Sequence, residues 1–280
     1  MPRTVEHVSA NHLGNYLRAR RDLVDPKDVG LPGGGRRRVP GLRREEVALL
    51  AGISGEYYLR LEQGRDHNPS PAVLDALARV LRLDLDATRH LHALATPAPR
   101  HGSPTPDDER VPPGIQQLIN TSWAGTPAVV LNRYMDVLAA NPLAIALSPS
   151  NQPGTNAVRS AFLDPRMRSH YLNWGEMTIR AVAGLRALIG PDGSDPRIIE
   201  LVNELSAESE TFRRLWARHD VSPRGTGASQ IDHPQVGRLE LRYERLLLAG
   251  TDSQLLVVHH ADPGSPSAQK LAHLAHALST

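Results

Sequence analysis

The sequence predicts a multidomain fold class, an all-α segment followed by an α+β segment, and three observations predict it. LAGISGEYYLRLEQGR, Leu50 to Arg65, reads as two short helices separated by a three-residue corner. TPAPRHGSPTPDDERVPP, residues 96–113, holds six prolines, no aromatic and one large aliphatic, Val111. GRLELRYE sets Leu239, Leu241 and Tyr243 on one face and Arg238, Glu240, Arg242 and Glu244 on the other, the alternation of a strand with one solvated side. The expected organisation is a helical domain over 1–95, a linker over 96–113 and a mixed domain over 114–280.

In the first segment Val47, Leu50 and Ala51 form one face of a helix, and Tyr58 and Leu61 form the inward face of the next. Gly52 supplies the left-handed backbone that ends the first helix. Ile53 is placed to plug the corner, and Ser54 caps the amides of the second helix. Ala48 is small enough to let the two helices cross closely. Such a corner holds two helices at a steep angle, the helix-turn-helix arrangement, and the second helix then protrudes. A protruding helix fits the major groove, where each base pair shows its own pattern of donors, acceptors and methyls. Ser54, Gly55, Glu56, Tyr57 and Arg60 are the outward candidates. Arg60 can fork onto guanine, Glu56 can accept from a cytosine amine, Tyr57 can reach a phosphate or a thymine methyl, and Gly55 allows close approach.

Charge agrees with this placement. The chain of 280 residues has 32 basic and 30 acidic residues, for a formal charge of +2. Residues 1–95 carry 15 basic against 12 acidic, and residues 96–280 carry 17 against 18, so the basic excess sits in the first third. LPGGGRRRVPGLRR, Leu31 to Arg44, holds five arginines and no acid. Arg36, Arg37 and Arg38 are candidate backbone or minor-groove anchors, and Arg43 and Arg44 are further DNA-contact candidates.

The 96–113 stretch has too little apolar surface to offset the entropy of ordering, so it reads as a linker. Beyond it PAVVLN (Pro127 to Asn132) and MDVLAAN (Met135 to Asn141) read as a strand pair. A helical region follows from about Pro165 to Ile189, with Ile179, Val182, Leu185 and Ile189 at helical spacing. Ile198, Val202 and Leu205 mark another helix, and Phe212, Leu215 and Trp216 a third. QLLVVHHA is a second strand after GRLELRYE. SPSAQKLAHLAHAL is a closing helix with Ser265 as cap and Pro266 at its first position.

Absences narrow the function classes. There is no cysteine, which excludes disulfides, thiolate metal sites and cysteine nucleophiles. Thirteen histidines invite a metal. Yet His259 and His260 are adjacent on a strand and point to opposite faces, and His273 and His276 lack a third ligand. GTGAS lacks the strand-GK[ST]-helix setting of a phosphate loop. No metal, cofactor or enzymatic activity is expected. MPRTVEHVSA has no apolar signal core, and no run approaches the roughly 18 apolar residues of a span, so a cytoplasmic protein without membrane contact is expected. Phe162, Trp174, Phe212 and Trp216 fall on the downstream helices, either as ordinary core or as the wall of an apolar cavity for a small ligand.

REEVALLAGISGEYYLRLEQGRDHNPS resembles the Cro/C1-type (XRE) helix-turn-helix family, over about Leu13 to Leu94, in its LA pair, its Gly-Ile-Ser corner and its closing LEQGR. The resemblance implies that Arg44, in place of the commoner Gln, grips a phosphate. It implies the same of Asn68 before Pro69, and a pairing of Arg21 with Glu62. MDVLAANPLAIAL, FLDPRMRSHYLNW, SETFRRLWARHDV and HPQVGRLEL look like the ligand-binding domain of MmyB-like transcription regulators, over most of Pro113 to Leu274. This implies a PAS-like sheet flanked by helices with a cavity for a fatty-acid-like molecule. Met135 stands where that family commonly has an aromatic.

The expectation is therefore a transcription regulator whose partners are a double-stranded DNA operator and a fatty-acid-like effector, acting as a homodimer, with RNA polymerase as a further candidate partner. The rivals are a C-terminal protein-interaction module without ligand and, on histidine content alone, a DNA-tethered enzyme. Neutralising Arg36, Arg37 and Arg38 together should weaken binding to all sequences alike and reduce the slope of log K against log salt by about 0.9 for each phosphate that is no longer neutralised. Filter binding over a salt series reads this, and an unchanged slope would remove the anchor role.

Overall fold

A computed structural model describes residues 11–32, 41–66, 68–95, 109–188, 195–220, 226–251 and 253–278. The Arg36-Arg37-Arg38 run and residues 96–108 of the proline-rich stretch lie outside them. The chain divides into two compact units, 1–101 with 186–195 and 214–223, and 102–185 with 196–213 and 224–280.

In the first unit, α1 (His12–Leu23), α2 (Arg44–Ala51), α3 (Gly55–Glu62), α4 (Pro71–Val80) and α5 (Leu85–Ala95) surround a core of Tyr16, Leu17, Leu42, Val47, Tyr58, Leu61, Leu77 and Leu91. Sequence-local caps set the boundaries. Asn11 accepts from the Gly14 amide at 2.9 Å to start α1, and Ser70 caps α4 with Pro71 in its first turn. The α2–α3 corner has the form its residue types imply. Gly52 has φ +69°, its N–H reaches the Leu49 carbonyl at 3.2 Å, and the Ile53 N–H reaches Ala48 at 3.0 Å. This is the pairing that lets a left-handed glycine satisfy the last carbonyls of a helix. The inward face of α2 differs by one position from expectation. Val47 and Ala48 are buried and Ala51 half-buried, whereas Leu50 is 39% exposed, because a two-turn helix meets its neighbours through the i, i+1, i+4 set alone.

Glu62 is fully buried, and both its carboxylate oxygens are occupied. Arg21 Nε of α1 donates to Oε1 at 2.7 Å, and Arg44 Nε of α2 donates to Oε2 at 2.6 Å. Arg21 also donates to the Leu42 carbonyl at 2.8 Å, and Asn11 Nδ2 to the Glu62 carbonyl at 2.8 Å. Gly14 lets α1 come this close, since a Cβ there would stand 2.4 Å from the Glu62 carbonyl oxygen.

The second unit has a five-stranded antiparallel sheet, ordered β2-β1-β5-β4-β3, from β1 (Ala128–Leu131), β2 (Val137–Ala140), β3 (Gly227–His233), β4 (Gly237–Leu247) and β5 (Leu255–His260). One face packs on α6 (Pro113–Asn120) through Ile119, Val130 and Leu256. The other faces α7 (Pro142–Leu147), α8 (Ala157–Leu163), α9 (Pro165–His170), α10 (Trp174–Leu188) and α13 (Pro266–Ala277). Helices α11 (Pro196–Glu208) and α12 (Glu210–Ala217) precede β3. Asn141 pins the α6 side to the sheet: it is fully buried, caps α7 by accepting from Ala144 N at 2.9 Å, and donates to the carbonyls of Ile119, Trp123 and Thr126.

The strand pair, the alternating strand and the closing helix stand where their patterns put them. The region that reads as one helix from Pro165 is two, α9 and α10, broken where Tyr171 bridges to Ile231 of β3. Strand β3 itself is not legible in the sequence pattern, and its first three residues, Gly227 to Ser229, are the end of the GTGAS segment. Among the described residues no helix is long and apolar enough to cross a membrane.

Removing the Glu62 carboxylate would leave the buried Arg21 with only the half-exposed Asp22, 2.8 Å from its Nη1, as a counter-charge, and would leave the Nε unbonded. Glu62→Ala should destabilise the protein by about 3–5 kcal/mol, read from urea unfolding of the helical unit. A midpoint equal to that of the parent would show that the pair contributes nothing.

Candidate DNA-reading helix and ligand cavity

The N-terminal turn of α3 stands open. Ser54, Gly55 and Glu56 are exposed, Tyr57 and Arg60 half-buried, and Tyr58, Leu61 and Glu62 packed inward. Ser54 Oγ accepts from the Tyr57 amide at 3.1 Å, which commits the hydroxyl to the cap. A Cβ added to Gly55 would meet nothing within 4 Å among the described residues, so none of them screens that backbone. Arg60 Nη1 lies 3.3 Å from Glu56 Oε1, and its guanidinium 5.7 Å from the Tyr57 ring. An exposed i,i+4 pair of this kind is worth about 0.3–0.5 kcal/mol, far less than the about 1–3 kcal/mol of a bidentate guanine contact. Arg60 is thus held in place at little energetic cost to release. Burial pushes the Tyr57 phenol up, keeping it a neutral donor.

The flanking candidates are placed as follows. Arg43 and Asn68 are exposed, and the Arg43 amide donates to Glu46 Oε2 at 2.7 Å. Arg44 has 45% of its side chain exposed while its Nε is committed to Glu62. Its first role is therefore internal, and a phosphate would meet the outer edge of the guanidinium. The Arg36, Arg37 and Arg38 candidates fall outside the described residues.

In the second unit a cavity of about 130 Å³ lies between the inner sheet face and helices α8, α9 and α10. Register builds its floor: Tyr243 stands opposite His259, Arg245 opposite Val257, and Val257 opposite Val129, all on one face of the sheet. Small residues build its roof, because Ala157 and Ala161 of α8 and Ala181 and Gly184 of α10 leave room that larger side chains would fill. Met135, held at φ +68° in the β1–β2 turn, closes one side.

The charged groups of this wall are poorly compensated. Arg180 Nη2 donates to the Ala228 carbonyl at 3.1 Å, and Nη1 lies 3.5 Å from the exposed Glu176. Arg245 leans over the Tyr243 ring at 5.1 Å. The Nε atoms of both arginines and Nδ1 of His259 are sealed from water without a hydrogen-bond partner among the described residues. Among those residues no aspartate or glutamate lines the cavity. Burial pulls the Arg245 guanidinium below its ordinary range and His259 down to about 4, so that the imidazole is neutral at pH 7.

Phe162, Trp174, Phe212 and Trp216, the expected ligand contacts, are not among the lining residues. Phe162 meets Phe212 edge-on at 5.1 Å and Trp174 at 6.3 Å, while the Arg186 guanidinium lies 3.9 Å over Trp216. Aromatic rings on neighbouring helices satisfy one another this way, and the cavity is left mostly to aliphatic, sulfur and cationic side chains, with Tyr171 and Tyr243 as its aromatic members and Ser150, Asn151 and Ser229 as its neutral polar ones. The signal that could have found Arg245 is present in GRLELRYER: continuing the inward alternation past Leu239, Leu241 and Tyr243 reaches a charged residue on a buried face. Among the described residues no group of three His, Cys, Asp or Glu could hold a metal ion.

A helix-turn-helix unit joined to a sheet-and-helix unit that encloses an apolar cavity defines a class, the DNA-binding regulators that carry their own small-molecule domain. Residues 12–91 match the model of a helix-turn-helix domain. Residues 111–274, more than half of the chain, match the MmyB-like transcription regulator ligand binding domain, and the chain belongs to that family. Both are domains of transcription regulators rather than of enzymes, and the protein is a ligand-regulated transcription regulator of α and α+β construction. Comparison with curated proteins finds no match.

His259 has its pKa depressed on folding, so the unfolded chain binds its proton first. Its contribution to stability is complete above the unfolded value of about 6.5 and is lost as pH falls toward 4. Thermal midpoints should drop across that window, and His259→Phe should make the drop shallower, by at most about 1.4 kcal/mol per pH unit. Equal slopes for parent and variant would contradict a neutral buried imidazole.

Proposed function

We propose that α3 reads the major groove of an operator with Arg60, Glu56 and Tyr57, while Ser54 and Gly55 bring its N-terminal turn against the duplex. Arg43, the outer edge of Arg44, Asn68 and the Arg36 to Arg38 run hold the phosphates on either side. The observation that carries this reading is the open turn at Ser54 to Glu56, with Arg60 tied only through an exposed, weak pair. A homodimer would place two such helices on repeated half-sites one or more helical turns apart. The C-terminal unit senses a small fatty-acid-like effector in the cavity beneath α8 and α10. Aliphatic lining and the about 130 Å³ of space support a short or medium apolar chain. An effector bound unequally by two arrangements of the protein shifts operator affinity, typically by about 1–3 kcal/mol.

In fluorescence anisotropy against a selected operator and a mismatched duplex, Arg60→Ala should lose about 1–3 kcal/mol of discrimination while affinity for the mismatched duplex stays nearly constant. Discrimination that survives the change would refute α3 as the reader. Native mass spectrometry of the purified protein tests the sensor: release of a fatty-acid-like adduct supports it, and an operator affinity indifferent to fatty acids of every length refutes it.

A further inference from the structure

Two stretches downstream of the proline-rich segment, 186–195 and 214–223, belong to the first unit together with α1 to α5. Their described part carries a charged cluster that neither the reading helix nor the cavity uses. Arg186, 8% exposed, donates from Nη1 to His219 Nδ1 at 3.0 Å and from Nη2 to the Trp216 carbonyl, and its guanidinium covers the Trp216 ring. An arginine has only donors, so His219 must accept through an unprotonated Nδ1. Burial, and after it the charge of Arg186, pushes that imidazole down to about 3, which keeps it neutral at pH 7. Asp220, the acid whose charge reaches Arg186, is itself bound to Arg20 Nη1 of α1 and to Arg218 Nε, each at 2.9 Å.

The cluster is assembled at a cost. His219 has φ +53°, the left-handed region that is strained for a residue with a side chain. Arg186 Nε is sealed from water without a hydrogen-bond partner among the described residues. Contacts formed against such penalties are cheap to release, as a two-state element requires. Each end of the cluster leads to a functional element. On one side α10 is a single helix in which Ala181, Gly184 and Leu185 line the cavity and the next residue is Arg186. On the other, Arg20 is followed in α1 by Arg21, whose Nε holds the Glu62 carboxylate at the end of α3. From this continuity we infer that Arg186, Trp216, His219, Asp220 and Arg20 form a latch, and that filling the cavity displaces α10, strains or frees the latch, and so changes how α1 holds the reading helix. The inference rests on the sensor and reader assignments above and adds to them the device that joins the two. Contiguity alone does not demonstrate coupling; a response that disappears when the latch is cut does.

Operator affinity of the full-length protein is measured by fluorescence anisotropy, with and without saturating decanoate. It is also measured in Gly184→Met, which fills the cavity without a ligand, since a Cβ at 184 would meet nothing within 4 Å among the described residues. Decanoate and Gly184→Met should each change the affinity of the parent at least about fivefold. Asp220→Asn keeps the shape of the side chain and removes its charge; it should cut both effects to under about twofold and leave decanoate affinity, read by calorimetry, within about twofold of the parent. Arg20→Gln cuts the same pair from α1 and should give the same loss, and the double variant should lose no more than either alone. Agreement between the two variants separates the latch from a folding defect peculiar to one of them. Effects of decanoate and Gly184→Met that persist at full size in both variants would overturn the latch and leave sensor and reader standing. A parent whose operator affinity answers to neither would overturn the sensor reading and the latch together. Variants that lose the response only because decanoate no longer binds would show that Asp220 and Arg20 serve the fold, and would overturn the latch as well.

Discussion

The Glu62 carboxylate holds the helical unit in the form that its function needs. A carboxylate with no exposure costs several kcal/mol to desolvate, and that cost is offset only when both oxygens are well bonded. Here the bonds come from two other helices, Arg21 of α1 and Arg44 of α2, each within 2.7 Å. Moving α3 by a fraction of a turn would break both at once, so the angle at which Gly55 to Arg60 meet solvent is fixed by electrostatics as well as by the packing of Tyr58 and Leu61. The arrangement also gives Arg44 a double position, anchored inside through Nε and presented outside through the rest of its guanidinium.

A different principle shapes the second unit. Its cavity exists because small residues on α8 and α10 face a sheet whose register brings Val129, Val257, Tyr243 and Arg245 to one side. Close packing normally eliminates such space. Retaining it beside two arginines and a neutral histidine makes the unit less stable than a filled version would be, and the unpaired atoms identify where the cost is located. The helical unit buries a charge with its partners already present; the sheet unit buries charges whose partners are absent from its own wall.

Local chemistry makes much of this legible in the sequence. Gly52, Ser54, Ser265 and Pro266 act through neighbours within four residues, and all four do in the structure what their types imply. The alternation in β4 and the opposite faces of His259 and His260 are equally local, His259 lining the cavity and His260 lying 3.6 Å from Glu244. Local patterns fail where distant segments decide. The aromatic residues Phe162, Trp174 and Phe212 have the right composition for a ligand wall, but their rings find one another across three helices. Strand β3 has no strong alternation and forms because β4 is available beside it. Arg245 continues the inward alternation of β4, but nothing within its neighbourhood in sequence shows the helices α8 and α10 lying over it.

Taken alone, the sequence determined the two-part architecture, the helix-turn-helix corner and the faces of individual strands, because capping, glycine conformation and side-chain periodicity act over a few residues. Only the tertiary structure decided which side chains share the cavity, which cationic groups stand in its wall with no carboxylate beside them there and how Glu62 divides its two oxygens between Arg21 and Arg44. Those outcomes depend on register and on helix placement between segments far apart in the chain, and no local pattern encodes a distance of that kind.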